Sequence, residues 1–174
     1  MEVRPATIED AERIALLHVD SWRRTYRGMM RDEFLDGDVV GDRLAVWRER
    51  LGSPAPNQLV VVAEEDSEIR GFICAFGDDD AEWGSLVDNL HVNLECQKQG
   101  IGALLLREGA AWAAANYPGR GLYLWVMQAN DNAQRFYEHL GGANVGAEVR
   151  GSAERGPAHV FRYAWPDAGT IKVR

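Results

Sequence analysis

Residues 97–103 constrain the fold of this chain more than any other segment. The apolar residues 86–92 precede them, and an Ala/Leu-rich helical pattern follows. Gly100 and Gly102 stand where that helix would begin, so a ligand can approach the backbone with no Cβ in its way. The unpaired N–H groups of a helix's first turn and the helix dipole favour an anion there. The sequence therefore predicts a phosphate or pyrophosphate site, to which Lys98 adds positive charge.

Two common phosphate-binding loops do not fit this segment. A P-loop requires Lys-Ser or Lys-Thr after its second glycine, and neither pair follows Gly100 or Gly102. A dinucleotide fingerprint follows its strand directly and needs a small residue where this chain has Leu105. A third pattern, Gln/Arg-x-x-Gly-x-Gly/Ala, matches at Gln97, Gly100 and Gly102. It resembles the acetyl-CoA loop of the GNAT superfamily of N-acetyltransferases.

A surface turn that enters a helix would give the same local pattern, but a second motif supports the resemblance. Residues 130–142 resemble the family pattern Asn-x-x-Ala-x-x-Phe-Tyr-x-x-x-Gly, with matches at Asn130, Ala133, Phe136, Tyr137 and Gly141. One predicted helix and one predicted strand separate the two motifs, which is the order that the family shows. The resemblance extends over nearly the whole chain.

The predicted elements follow the order β-αα-βββ-α-β-α-ββ. Strands are expected at residues 3–6, 58–64, 69–76, 82–92, 122–126, 145–150 and 159–165, and helices near 7–28, 31–51, 101–116 and 133–140. Antiparallel hairpins followed by strand–helix–strand predict a mixed α/β (α+β) fold, with a central, mostly antiparallel sheet and helices on both faces. This layout is GNAT-like. We expect one domain over residues 1–174, with 166–174 as a loose tail after Pro166.

Composition narrows the function classes. The net charge of −8 and the lack of a Lys/Arg-rich stripe argue against nucleic-acid binding. The sequence has neither a long apolar run nor a signal-peptide core near Met1, so we expect a cytoplasmic protein with no membrane contact. Cys74 and Cys96 are expected to be reduced thiols, and the dispersed histidines predict no metal site. A homodimer remains an open alternative.

The resemblance implies acetyl transfer from acetyl-CoA to a primary amine without a covalent enzyme intermediate. In this fold the strand that ends at Val92 parts from the strand over residues 122–126, and the pantetheine arm pairs with the freed backbone. By match to the motif, Leu90, His91 and Val92 line that arm, although core packing alone would also explain Leu90 and Val92. The pyrophosphate would be held by Lys98, Gln99, Gly100, Ile101, Gly102 and Ala103.

Tyr137 matches the family's general acid, which protonates the departing CoA thiolate. A Phe-Tyr pair on an amphipathic helix can also be plain core. Asn130 would orient the cofactor or cap its helix, since Asn is a preferred N-cap residue.

The base that deprotonates the amine is predicted to be Asp88. Strand alternation places Asp88 on the same face as Leu90 and Val92, and His91 on the opposite face. Glu82, acting through water, is the alternative. Where some family members carry a glutamate in the strand after the helix, this chain has Trp125.

Trp22 and Tyr26 end the first predicted helix, which closes over the acceptor in this fold. They either bind a cationic amine by cation–π contact or anchor the helix end in the core. The acceptor would be a small-molecule amine or a peptide amino group. Two alternatives remain, namely a non-catalytic CoA-binding regulatory module of the same fold and a nucleotide-binding oxidoreductase.

Overall fold

The computed structural model describes residues 1–171. Its seven strands form one sheet in the order β1-β2-β3-β4-β5-β7-β6, and only the β4–β5 pair is parallel. The mixed, mostly antiparallel sheet predicted from the sequence is therefore confirmed. The elements are β1 Glu2–Pro5, α1 Ala11–Thr25, α2 Asp32–Asp36, α3 Val39–Gly52, β2 Gln58–Glu65, β3 Glu68–Asp80, β4 Gly84–Val92, α4 Ile101–Asn116, β5 Leu122–Met127, α5 Asp131–His139, β6 Ala143–Ser152 and β7 Gly156–Trp165.

Helices cover both faces of the sheet and define two sides of the core. On one face α1 and α3 pack against β2 and β3, around the fully buried Trp47 and Phe72. On the other face α4 packs against β2–β5, around Leu105 and Leu106, and Tyr137 of α5 joins the same cluster. Below we call these the α1/α3 face and the α4/α5 face.

A glycine allows α4 to lie close against the sheet. A Cβ at Gly109 would lie 2.7 Å from Cδ1 of Ile73 on β3, which is closer than side-chain carbons approach in folded proteins. The helix axis is therefore held near the sheet. This packing fixes the N-terminus of α4 beside the end of β4.

The second predicted helical region is divided at Gly37 into α2 and α3, and Gly41 lies inside the first turn of α3, where its N–H donates to the Asp38 side chain. Two details differ from the sequence prediction. The strand expected at residues 69–76 continues through the acidic residues 78–80. The loose tail predicted from residue 166 is wrong as far as Ile171, because Ala168 and Ile171 are buried in the α4/α5 cluster. Residues 172–174 lie outside the described part of the chain.

A buried carboxylate joins β1, α1 and β2. Asp10 is only 1 % exposed and accepts hydrogen bonds from Arg4 Nη1 at 2.7 Å and the Thr7 N–H at 2.9 Å, while Arg13 also binds it. Arg4 and Arg13 both reach Glu64 on β2. The Arg4 hydrogen bonds hold the pKa of the Asp10 carboxyl well below its usual range.

We predict that Asp10→Asn lowers the free energy of unfolding by about 3 kcal/mol, because it removes the buried carboxylate and leaves the Arg4 and Arg13 guanidinium groups with Glu64 as their one shared counter-charge. The low pKa in the folded state means that this stabilisation is present at neutral pH and is lost as pH falls below about 4. Urea unfolding at pH 7 and pH 3.5 measures both effects. Asp20→Asn, which breaks the exposed Asp20–Arg24 pair, is the control and should change stability by under about 0.5 kcal/mol. An equal loss in the two variants would contradict the stabilising role assigned to Asp10.

Candidate active site

A wedge-shaped gap opens between β4 and β5. The two strands pair only from Ser85–Leu122 to Val87–Leu124. Beyond these pairs β4 continues to Val92 alongside β3, and β5 continues to Met127 alongside β7. Each strand therefore turns one backbone edge to the gap, and such an edge can accept an added extended chain.

The glycine turn lies exposed at the mouth of this gap. Gln97, Lys98, Gln99 and Gly100 are all exposed. Lys98 and Gly100 have positive φ angles of 62° and 84°, a backbone conformation that glycine adopts without strain. No other atom lies within 4 Å of the Cβ position at Gly100, so the requirement for glycine there is conformational.

The first turn of α4 presents unpaired backbone donors. Its first backbone bond runs from the Leu104 N–H to the Gly100 carbonyl at 2.9 Å, which leaves the N–H groups of Ile101, Gly102 and Ala103 free of backbone partners in the described chain. A Cβ at Gly102 would meet Phe136 Cζ at 3.2 Å and Val92 Cγ2 at 3.6 Å. The start of α4, the end of β4 and α5 therefore meet at Gly102.

The second motif forms α5 on the opposite side of the gap. The Asn130 side chain accepts the Ala133 N–H at 3.2 Å, so it caps the helix, as one of the two interpretations of this residue expected. Gly141, at φ 85°, ends the helix, and the Trp165 indole donates to the Leu140 carbonyl at 2.9 Å. These contacts fix both ends of the short helix that carries Tyr137.

Tyr137 lies buried in the α4/α5 cluster, at 9 % exposure. Burial raises the pKa of its phenol, and the neighbouring Tyr26 phenol raises it further. Within residues 1–171 the Tyr137 hydroxyl makes no hydrogen bond, whereas the Tyr163 hydroxyl donates to Glu138 at 2.7 Å. The raised pKa keeps the Tyr137 phenol protonated at neutral pH.

A β-bulge changes the predicted orientation of Asp88. Cys74 pairs with Asn89 and Ala75 pairs with Val87, so Asp88 is an extra residue in β4. Its carboxylate lies 2.7 Å from Arg50 Nη1 of α3, and Arg50 also donates to Asn89. The expectation that Asp88 shares a face with Leu90 and Val92 is therefore wrong, because the bulge interrupts the alternation on which it rested.

The rest of β4 alternates as expected. Leu90 and Val92 pack against the α4/α5 cluster. His91 points to the α1/α3 face, where Nδ1 lies 2.8 Å from Ser21 Oγ and the ring lies 4.5 Å from the His18 ring. Burial lowers the pKa of His91 to about 4, so the imidazole is neutral at physiological pH. Glu82 precedes β4, at the end where β4 and β5 remain paired.

Trp22 and Tyr26 lie on the α1/α3 side of the gap. Their ring centroids are 6.5 Å apart, and Trp22 is 6 % exposed. Two guanidinium groups of the chain itself lie over the Trp22 ring, Arg43 at 4.8 Å and Arg155 at 5.2 Å. The helix-anchoring interpretation of Trp22 fits this burial, while Tyr26 is only half-buried.

Several residues near the gap were not identified from the sequence. They come from distant segments and carry no local motif; they are Ser21, Arg43, Arg50 and Arg155. Trp125 on β5 likewise carries two stacked guanidinium groups, from Arg150 and Arg162.

The described residues were also considered as metal ligands and as membrane-spanning helices. Within residues 1–171 no three or more His, Cys, Asp or Glu side chains are grouped so that they would bind a metal ion. In the same part of the chain no helix has the length and apolar character needed to cross a bilayer.

Comparisons with known proteins agree with this architecture. Residues 17–142 match the model of the acetyltransferase (GNAT) family. The N-acetyltransferase YuaI of Bacillus subtilis, named as uncharacterized, is 27 % identical, with 98 % of this chain and 96 % of the relative covered. Probable N-acetyltransferase Rv2775 of Mycobacterium tuberculosis is 28 % identical, with 79 % and 77 % covered. A solved structure of the PaiA N-acetyltransferase of Thermoplasma acidophilum in complex with coenzyme A has a TM-score of 0.67 at 20 % identity, with 94 % and 98 % covered.

The chain therefore belongs to the GNAT family of acetyltransferases, and it is an N-acetyltransferase by family. The resemblance drawn from the two motifs is confirmed. The oxidoreductase alternative has no support in these comparisons.

Proposed function

We propose that this protein transfers an acetyl group directly from acetyl-CoA to a primary amine. The observation that carries the proposal is the exposed turn at the start of α4, whose free N–H groups open onto the gap between β4 and β5. A helix N-terminus favours a pyrophosphate, and the adjacent strand edge suits an extended pantetheine arm. The helix N-terminus thus suits the pyrophosphate of acetyl-CoA, and the strand edge suits its pantetheine arm.

The cofactor would lie along β4 with its pyrophosphate on α4. The backbone at Leu90, His91 and Val92 would pair with the pantetheine arm. The N–H groups of the turn would bind the pyrophosphate, with the Lys98 ammonium nearby; the residues are Lys98, Gln99, Gly100, Ile101, Gly102 and Ala103. The Asn130 side-chain oxygen caps α5, and its amide N–H₂ group would orient the cofactor.

The chemistry follows from this placement. The neutral amine nitrogen attacks the thioester carbon, backbone N–H groups of the gap bind the resulting oxyanion, and the carbon–sulfur bond breaks. The Tyr137 phenol gives its proton to the departing thiolate, so the products are the N-acetyl amine and CoA thiol. Burial raises the pKa of the phenol, so the hydroxyl carries its proton at neutral pH. The proton lost by the amine balances the one that Tyr137 gives up.

Asp88 is the proposed acceptor of the amine's proton. Its ion pair with Arg50 holds the carboxylate beside the gap, and part of its side chain is exposed. The bulge at this residue directs it to the α1/α3 face, where Tyr26 also lies. Asp88 would therefore receive the proton on the side from which the amine arrives.

Gly100→Val is expected to weaken CoA binding at least tenfold, because a β-branched residue strains the φ 84° turn and moves the N–H donors. Gly119→Val is a matched control, since Gly119 also has a positive φ (74°) and no neighbour within 4 Å but lies beyond the far end of α4. Calorimetric titration with CoA measures both affinities. The loop assignment fails if Gly100→Val binds CoA as tightly as the control.

Tyr137→Phe is expected to lower kcat by about a hundredfold or more, since it removes the proton donor, with CoA affinity unchanged within about twofold. Thiol release from acetyl-CoA with a panel of amines gives the rate. Tyr163→Phe is the control because it also removes a phenol hydroxyl, one bound to Glu138. Equal rates for wild type and Tyr137→Phe would remove Tyr137 from this role. Binding of CoA with no turnover on any amine would favour the non-catalytic module.

Asp88→Asn is expected to lower kcat/KM for the amine by about tenfold or more, because the variant cannot take up the amine's proton. Thiol release is measured at pH 7 with a saturating concentration of acetyl-CoA. Asp20→Asn, on the exposed surface of α1, should leave kcat/KM unchanged. An equal kcat/KM for wild type and Asp88→Asn would assign the proton to Glu82 acting through water or to solvent.

A further inference from the structure

Arg155 is held beside Trp22 by contacts from distant segments. It lies between β6 and β7, at the tip of their hairpin, and its carbonyl accepts the Arg31 N–H at 3.1 Å. Its guanidinium carbon lies 5.2 Å from the Trp22 ring centroid and 5.3 Å from that of Phe34. Stacking on two aromatic rings orients a guanidinium plane and leaves its N–H edge available to a ligand.

The guanidinium N–H groups of Arg155 have few partners among residues 1–171. The one ion pair that its guanidinium makes among residues 1–171 is with Asp42 Oδ2, at 3.9 Å, which is beyond hydrogen-bond distance. That carboxylate is already bound by Arg43, with Nη2 at 2.7 Å and Nε at 2.9 Å. Around the Trp22 ring, two guanidinium groups therefore share one carboxylate, and one positive charge remains uncompensated.

This local charge contrasts with the net charge of −8 for the whole chain. Arg43, Arg50 and Arg155 all lower the pKa of the buried His18, after burial itself and the neighbouring His91. Because Asp42 binds Arg43 and Asp88 binds Arg50, Arg155 carries the least compensated of the three charges. Like charges this close disfavour an additional cation. The acceptor side of the gap therefore favours an anionic group and opposes a polycationic acceptor.

The same residues connect Arg155 to the proposed reaction centre. The Trp22 ring touches the guanidinium and lies 6.5 Å from the Tyr26 ring, and Tyr26 is close enough to Tyr137 to raise its pKa. A ligand bound to Arg155 would therefore have its other end within reach of Tyr137.

We propose that the acceptor is a small amine that carries a carboxylate, and that Arg155 binds this carboxylate while the amine extends past Tyr26 toward Tyr137. This inference rests on the proposed function. One uncompensated charge suits a monoanion, and a guanidinium fork matches the two oxygens of a carboxylate. The Trp22 ring lies between Arg155 and Tyr26. An acceptor that spans this ring needs several bonds between its carboxylate and its amine.

The test compares acceptors that differ only in the anionic group. Wild type, Arg155→Gln and the control Arg24→Gln, an exposed residue of α1 paired with Asp20, are assayed with 6-aminohexanoate, 6-aminohexanamide and hexylamine. We expect wild type and Arg24→Gln to prefer the carboxylate at least tenfold in kcat/KM, mainly through KM. Arg155→Gln should lose that preference and keep its rates with the amide and the amine. An equal or better rate of wild type with the uncharged partners would overturn the inference, as would a uniform loss in Arg155→Gln.

Binding of the same compounds to the protein saturated with CoA is measured in parallel by calorimetry. If carboxylate-selective binding that depends on Arg155 occurs without turnover, the proposed function fails and only the carboxylate site at Arg155 stands. If turnover occurs without carboxylate selectivity, the proposed function stands and the inference fails. If none of the three compounds binds, the inference fails independently of any activity.

Discussion

The short pairing of β4 with β5 determines the rest of the site. Three register pairs hold the parallel strands together, and each strand then follows its antiparallel neighbour away from the other. Backbone groups along the two diverging edges need hydrogen-bond partners, which water or an extended ligand can supply. The start of α4 stands at the open end of the same wedge. The open end of the gap between β4 and β5 therefore combines three features. They are the packed start of α4, the glycine turn and the unpaired strand edges.

The bulge at Asp88 gives the two faces of the wedge different characters. On the α4/α5 face, Leu90 and Val92 continue the apolar core toward Gly102. On the α1/α3 face, Asp88 and His91 meet Arg50 and Ser21. A single inserted residue thus lets one strand present apolar side chains to one layer and polar side chains to the other. The reaction we propose uses both, with the cofactor arm along β4 and the amine entering from the polar side.

The sequence predicted the fold well, because the signals for its strands, helices and turns lie in short segments. The strands, the turn at Gly100 and the cap at Asn130 each depend on a few consecutive residues. The errors arose where contacts between distant segments determine the conformation. The bulge that reorients Asp88 depends on the register of β3, and the tail is held because Ile171 finds space in the core. The guanidinium groups over Trp22 come from α3 and the β6–β7 hairpin, whose proximity no local pattern encodes.

The position of the β6–β7 hairpin bears on how the acceptor specificity of this protein could change. The part of the chain that matches the family ends at residue 142, just before this hairpin begins. The turn, the wedge and α5 all lie inside the matched part, whereas Arg155 lies beyond it. If Arg155 binds the acceptor as we propose, substitutions at the hairpin tip would alter which amines are accepted without changing the turn or α5. Acceptor choice and acetyl transfer would then depend on separate segments of the sequence.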